Sequence, residues 1–359
     1  MRYFDYTLLF IIIFLVGFGL VMLYSTSSYN AQLKFNDSAF YLKKQLFASL
    51  LGFAGMFVVA HIDYHVWIRF RWLIYLVAFA LSTAVIFVGQ NYNGSTRWLK
   101  IGPLSFQPSE LAKIAIILFL SSVISEMPKQ MGKAGSIIKL LFYAVILCIP
   151  IAKKNLSTAV IIIGIAFILI FVASPQYLRF ILLAMGVVAG AAVFVLVESY
   201  RAERIQIWLH PEDYPKGYQT LQGLYAIGSG GLFGKGLGES MQKLGFLPEA
   251  QNDMIFSIIC EELGLFGAIC VIMLFLLLIW RFLVIANNAA DLYGALLVVG
   301  IMGHIALQVI LNIAVVTNSV PNTGITLPFI SYGGTSVAIL LTEMGLALSV
   351  SRGIKLEMV

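Results

Sequence analysis

The chain alternates long apolar stretches with short polar breaks. At a rise of about 1.5 Å per residue, roughly 20 apolar residues cross a hydrocarbon core about 30 Å thick. That ruler predicts ten spans, at 7–24, 44–60, 72–89, 109–125, 136–152, 157–173, 178–197, 254–282, 291–317 and 330–350. Only Lys153-Lys154-Asn155 divides the fifth from the sixth. The first run, Leu8 to Tyr24, is longer than a signal-peptide core, lacks a small-x-small cleavage pattern and is followed by many more spans, so it reads as a membrane helix. The expected fold is an all-α polytopic membrane protein, one domain over 1–359, with a long extracytoplasmic polar loop from Glu198 to Asp253 between the seventh and eighth helices. A second irregular stretch, Asn91 to Pro108, separates the third and fourth; loops of such length are usually functional.

Composition agrees: 60% of the 359 residues are hydrophobic and 11% charged, against roughly 25% charged in soluble proteins. The surplus apolar surface must face lipid. A net charge of +6, spread thinly and without a basic stripe, argues against a nucleic-acid partner and for contact with anionic headgroups. Cys148, Cys260 and Cys270 all lie in apolar stretches and form neither a disulfide framework nor a metal-ligand spacing. With both termini cytoplasmic, Arg69, Arg71, Lys129, Lys133, Arg281 and Arg352 fall inside, but Lys43, Lys44, Arg97, Lys100, Lys153 and Lys154 fall outside. The positive-inside bias is weak, and the outward cations need a reason.

Charge at membrane depth needs a partner or a task. In Gln107-Pro108-Ser109-Glu110-Leu111-Ala112-Lys113, Pro108 suits a first helical turn, and Glu110 and Lys113 share a face at i,i+3. They form either an ion pair or a cation poised near the surface for an anionic headgroup. His304, Gln308 and Asn312 recur at i+4 and predict a polar stripe turned into the bundle, most simply for interhelical hydrogen bonds. Glu261, Glu262 and Glu343 are expected to pair with cations, a transport role being the alternative. The run Ile227 to Gly238 is glycine-rich but fails the phosphate-loop patterns, and reads as an ordinary mobile loop. Asp253 closes the long loop where the eighth span starts, as an N-cap or as a reacting carboxylate. Arg201, Arg204, Lys235 and Lys243 share its loop, a setting suited to chemistry on an anionic lipid headgroup.

These motifs, in this order, resemble the SEDS (shape, elongation, division and sporulation) family, which includes FtsW and RodA. The resemblance rests on Ser95-Thr96-Arg97-Trp98, Gln107-Pro108-Ser109-Glu110 with Lys113, Gly217-Tyr218-Gln219, Leu247-Pro248-Glu249 through Asp253 into Glu261-Glu262-Leu263-Gly264, and Leu327-Pro328-Phe329-Ile330-Ser331-Tyr332-Gly333-Gly334. It implies a ten-helix glycosyltransferase of the bacterial cytoplasmic membrane that polymerises lipid II into peptidoglycan. It places the family's catalytic aspartate at Asp253 and its functional Glu–Lys pair at Glu110 and Lys113. A class B penicillin-binding protein, the crosslinking transpeptidase, is the implied partner, within a division or elongation complex. Two departures stand out: Lys153-Lys154-Asn155-Leu156-Ser157-Thr158 lacks the family's usual acidic residue, and Gln251-Asn252 replace its usual His-Thr. Gly324-Ile325-Thr326-Leu327-Pro328 resembles the division or sporulation type more than the elongation type.

The family's α-linked donor and β-linked product imply inversion by the acceptor 4-hydroxyl, with Asp253 as base. The leaving diphosphate needs charge stabilisation rather than an acid. Arg97, Lys113, Arg201, Arg204 and Lys235 are the expected cations, with Glu110 and Glu249 beside the substrate. The resemblance fixes no cofactor; the alternative is a divalent cation, Mg2+ or Mn2+, that shares the task, with Asp253 as its ligand rather than as base. The competing expectations are a lipid II flippase, using the intramembrane glutamates and the His304 stripe, and a non-catalytic scaffold for the transpeptidase.

Overall fold

The computed structural model describes residues 4–92, 95–101, 104–175, 181, 185–186 and 205–354, with backbone alone along 90–97 and 100–105. We number the described helices α1 (Tyr6–Phe35), α2 (Phe40–His61), α3 (Val66–Val88), α4 (Pro108–Glu126), α5 (Ala134–Ala152), α6 (Leu156–Ala173), α7 (Tyr218–Gly230), α8 (Ile255–Asn287), α9 (Leu292–Val316) and α10 (Gly334–Arg352). Among the described residues, nine of these, all but α7, are long and apolar enough to cross a membrane. Of the seventh expected span, 178–197, only residues 181, 185 and 186 are described, all helical.

Most expected boundaries lie within a few residues of the observed ones. The largest departure is α1, which continues eleven residues past Tyr24; α3 also starts six residues early, at Val66, and α8 runs five past 282. The polar turn of α1 is kept helical by hydroxyls: Thr26 and Ser27 bond back to the carbonyls of Met22 and Leu23, and Ser25 reaches Glu262. Asn36, in the left-handed region at φ 53°, ends the helix. The stretch after α3 is also more regular than expected. It forms a three-stranded antiparallel sheet of β1 (Gln90–Tyr92), β2 (Ser95–Ile101) and β3 (Leu104–Phe106), in that spatial order.

Helix α4 is the centre of the bundle, buried along nearly its whole length and packed on α3, α6 and α9. Helix α10 packs on α2 through small residues: a Cβ at Gly345 would stand 2.5 Å from the Met56 carbonyl. Without a hydrophobic force between helices in lipid, such close approach supplies the packing energy.

Cross-links sort the helix ends onto two faces. One holds Asp253, bonded to Asn312, and Ser157, whose hydroxyl donates to the Thr323 carbonyl at 2.8 Å. The other holds the Asp5–Arg281 ion pair and the 3.0 Å contact of His65 with Asp291.

Helix α8 is broken. Gly264 sits at φ 68°, ψ −167°, which no residue with a Cβ adopts readily. From Gly264 to Asn287 the helix climbs about 35 Å, and α9 climbs about 30 Å from Leu292 to Asn312. Asp253 is bonded to Asn312 and so lies at nearly the height of Gly264. The first segment of α8, 255–263, therefore turns across the bundle at Gly264 instead of continuing upward. Its residues are almost all buried, whereas Leu265, Phe266, Ile269 and Met273 beyond the break are exposed as a lipid-facing surface should be.

Candidate active site

Asp253 precedes α8 in a turn and is 7% exposed. Asn312, on the penultimate turn of α9, donates to its main-chain carbonyl at 2.8 Å and to the Ile325 carbonyl at 2.7 Å. The Gln219 amide approaches one Asp253 carboxylate oxygen at 3.5 Å and accepts from Asn322 at 3.3 Å. Gly324, at φ 69°, faces the other oxygen: a Cβ there would stand 4.0 Å from it. The 317–333 segment is thus drawn over Asp253 and is held further by the Trp208 indole, which donates to the Asn318 carbonyl at 2.9 Å. Glu249, three residues before Asn252 and in the left-handed region at φ 53°, accepts from the Asn252 side chain.

One turn below Asn312, Gln308 continues the floor. Its amide donates to the Thr326 carbonyl at 3.0 Å, which fixes the direction of its oxygen. That oxygen meets Lys113 Nζ at 3.2 Å and His304 Nε2 at 2.9 Å. Lys113 also contacts Glu110 at 2.9 Å and is 2% exposed. His304 Nδ1 lies 2.9 Å from both Glu343 oxygens. Because Gln308 presents an acceptor, His304 Nε2 must carry a proton. The expected inward stripe of His304, Gln308 and Asn312 is therefore present, and through it Glu110 and Lys113 are linked to Glu343 in one chain of contacts. A buried charge without such a partner would cost several kcal/mol.

The other two glutamates also pair. Glu261 takes Lys235 at 2.7 Å together with the hydroxyls of Ser229 and Ser240 and the Met241 N–H. Glu262 takes Lys243 at 2.7 Å and Ser25 at 2.7 Å. These bonds reshape the expected glycine-rich loop, which is not open. Its backbone is stitched into the α8 break: Lys235 and Gly236 N–H groups donate to the Glu261 and Glu262 carbonyls at 3.0 Å, and Leu265 and Phe266 N–H groups donate to Gly231 and Leu232 at 2.9 and 3.1 Å. A Cβ at Gly230, Gly234 or Gly264 would stand 1.9, 2.1 or 2.3 Å from the facing backbone. The glycines serve close approach between main chains, a need that the sequence pattern does not distinguish from a phosphate cradle.

Of the expected site residues, Asp253, Glu110 and Lys113 come together through consecutive turns of α9. Lys235 and Glu249 lie in the segment leading to Asp253, Lys235 committed to Glu261. Arg97 lies in β2, where only the backbone is described, and Arg201 and Arg204 fall outside the described residues. Sequence reasoning missed Gln219 and Asn322 as neighbours of the carboxylate, and it did not connect Asn312 to Asp253; nothing in their spacing announces a contact across 34 or 59 residues.

The family model of the cell cycle proteins FtsW, RodA and SpoVE matches residues 6–356. Stage V sporulation protein E of Bacillus subtilis (strain 168) is 41% identical over 358 residues, covering 97% of each chain. A probable peptidoglycan glycosyltransferase FtsW of Geobacter sp. (strain M18) is 38% identical over 358 residues, covering 97% of this chain and 96% of that one. Among solved structures, a chain of a peptidoglycan synthase complex that coordinates polymerization and crosslinking superposes with a TM-score of 0.80 at 26% identity over 99% of both chains. The rod shape determining protein RodA of Thermus thermophilus gives 0.72 at 26% identity over 99% of this chain and 98% of that one. By sequence over nearly its whole length and by fold, the chain belongs to the FtsW/RodA/SpoVE family of cell cycle membrane proteins.

Proposed function

We propose that the chain is an inverting peptidoglycan glycosyltransferase, polymerising lipid II at the outer face of the bacterial cytoplasmic membrane with both termini cytoplasmic. The observation that carries this reading is the placement of Asp253. The Asp253 carboxylate is held at one membrane face, one helical turn above a fixed Glu110–Lys113 pair, with Gln219 and the 317–333 segment beside it. The acceptor 4-hydroxyl oxygen bonds to the donor's anomeric carbon as the bond to the diphosphate oxygen breaks. The hydroxyl proton passes to Asp253. The diphosphate keeps the electron pair and is stabilised by cations.

Lys113 and Lys235 already share their charge with Glu110 and Glu261. The larger part of the diphosphate charge is therefore assigned to Arg97, Arg201 and Arg204, with Glu249 bordering the acceptor. A divalent cation, Mg2+ or Mn2+, fits the donor set in one manner. A hard ion that retains most of its water needs one carboxylate plus substrate phosphate oxygens, and Asp253 would be that carboxylate. When bound, such an ion neutralises charge on the leaving diphosphate. Among the described residues the one cluster of three metal-ligand side chains is the exposed His210, Glu212 and Asp213, apart from this carboxylate.

The likeness to a chain of a complex that both polymerises and crosslinks supports a class B penicillin-binding protein as partner. The identities with sporulation and FtsW proteins support a division or sporulation role. A flippase would need polar groups open to water along a path through the bilayer. Here Lys113, His304, Gln308 and Glu343 are buried and satisfy one another, which favours the polymerase. The test is glycan formation from labelled lipid II by the purified protein with its transpeptidase. Wild type is expected to give polymer, and folded Asp253→Ala and Asp253→Asn to give none. Equal polymer from all three would remove Asp253 from the chemistry.

A further inference from the structure

The loop from Gly231 to Phe246 carries a surface that water does not suit. Leu232, Phe233, Leu237, Met241, Leu244 and Phe246 are all exposed, Phe233 by 81% and Leu232 by 65%. Its two lysines are paired with Glu261 and Glu262, Lys243 buried and Lys235 still partly exposed. A patch of this kind marks a contact with protein or with lipid. Its position separates the two. The backbone bonds to Leu265 and Phe266 place Leu232 and Phe233 beside the first exposed residues of the spanning part of α8, at 53% and 65% exposure. That part, about 35 Å long, already matches the hydrocarbon thickness. Acyl chains that cover Phe266 must therefore also meet Leu232 and Phe233, and the loop's apolar side adjoins the lipid-facing belt of α8 there.

We propose that the 231–246 loop dips its apolar side into the acyl chains of the leaflet on the Asp253 face, so that the bilayer itself is its partner. The glycine stitch at Gly264 transmits this anchorage to the short first segment of α8, which begins two residues after Asp253. The leaflet thereby sets the height of the carboxylate above the membrane. The proposal does not depend on the reaction assigned to Asp253.

The test uses the full-length chain in phosphatidylethanolamine–phosphatidylglycerol liposomes, in a Cys270→Ala background that removes the exposed cysteine. A nitroxide is placed in turn at Phe233→Cys and Phe246→Cys, with the exposed Glu239→Cys as the aqueous reference. Collisions with oxygen, which concentrates in hydrocarbon, are compared with collisions with a water-soluble nickel chelate. Seating in the leaflet gives an oxygen-to-nickel ratio several-fold above that at residue 239, at both apolar sites. A ratio equal to that at residue 239 places the loop in water and overturns the proposal. Exclusion of both reagents means that protein covers the loop, and overturns it equally. Because the readout is position rather than turnover, failure here leaves the glycosyltransferase reading standing.

Discussion

The side-chain amide of Asn312 bridges the main-chain carbonyls of Asp253 and Ile325, at 2.8 and 2.7 Å. One fully buried residue of α9 thus fixes the gap between the turn that bears the carboxylate and the segment that covers it.

Replacing Asn312 by Ala leaves both carbonyls without that donor, a loss of about 1–3 kcal/mol for a buried group. The chain is expected to fold, with a lower unfolding temperature, and to polymerise lipid II at least about tenfold more slowly, since each 1.4 kcal/mol is a factor of ten. Asn312→Asp, which cannot donate and adds a charge, is expected to be worse than Ala. Initial rates of glycan formation beside thermal unfolding in detergent check both. Wild-type rates in Asn312→Ala would mean that the Asp253 turn needs no such support.

The Lys243–Glu262 pair is a second anchor, its carboxylate fully buried and reinforced by Ser25 from α1. Removing one partner strands a buried charge, at about 3–5 kcal/mol, whereas removing both is far cheaper. Lys243→Met and Glu262→Leu are each expected to lower the unfolding temperature sharply, and the double variant to recover most of the loss. Additive losses would show that the two residues act separately.

The glycine stitch predicts a graded series. Gly230→Ala and Gly234→Ala put a Cβ about 2 Å from the main chain of α8 and must expel the loop. Gly228→Ala, two residues earlier in α7 with nothing within 4 Å, is expected to be neutral or slightly stabilising. Limited proteolysis between residues 231 and 246 reads the difference: rapid cleavage in the first two variants, wild-type resistance in the third.

Much of this was legible in the chain, for identifiable reasons. Bilayer thickness fixes helix length, so the spans stood out as apolar runs. The i+4 recurrence of His304, Gln308 and Asn312 shows the inward face of α9 because polar atoms in lipid must turn to each other. What stayed hidden involves partners without periodicity. The break at Gly264 lies just after Glu261 and Glu262 in an otherwise apolar run, and a glycine there looks like any small packing residue. The assignments of Lys235 to Glu261 and Lys243 to Glu262 span 26 and 19 residues, and only the folded loop selects them. The β1–β3 sheet lay in a stretch that reads as irregular, and the hydroxyl bonds that extend α1 leave no hydrophobic signal.

On the face opposite Asp253, His65 couples two loops. Its Nδ1 contacts Asp63 at 2.7 Å and its Nε2 contacts Asp291 at 3.0 Å, while the Tyr64 hydroxyl donates to the same Asp291. Partial burial pulls the imidazole pKa down, but the hydrogen bond to Asp63 and the charges of Asp291 and Asp63 outweigh it, and the value lies above the ordinary 6.5. The folded chain therefore holds this proton more tightly than the unfolded chain does. The resulting stabilisation is complete below pH 6.5 and disappears as pH rises through the folded-state value. His65 is half exposed, so solvent screening keeps the effect small. Unfolding temperatures in detergent are expected to fall between pH 6 and pH 8 in the wild type, and His65→Gln is expected to flatten that part of the slope. A variant with an unchanged slope would mean that His65 gains no proton affinity from its two aspartates.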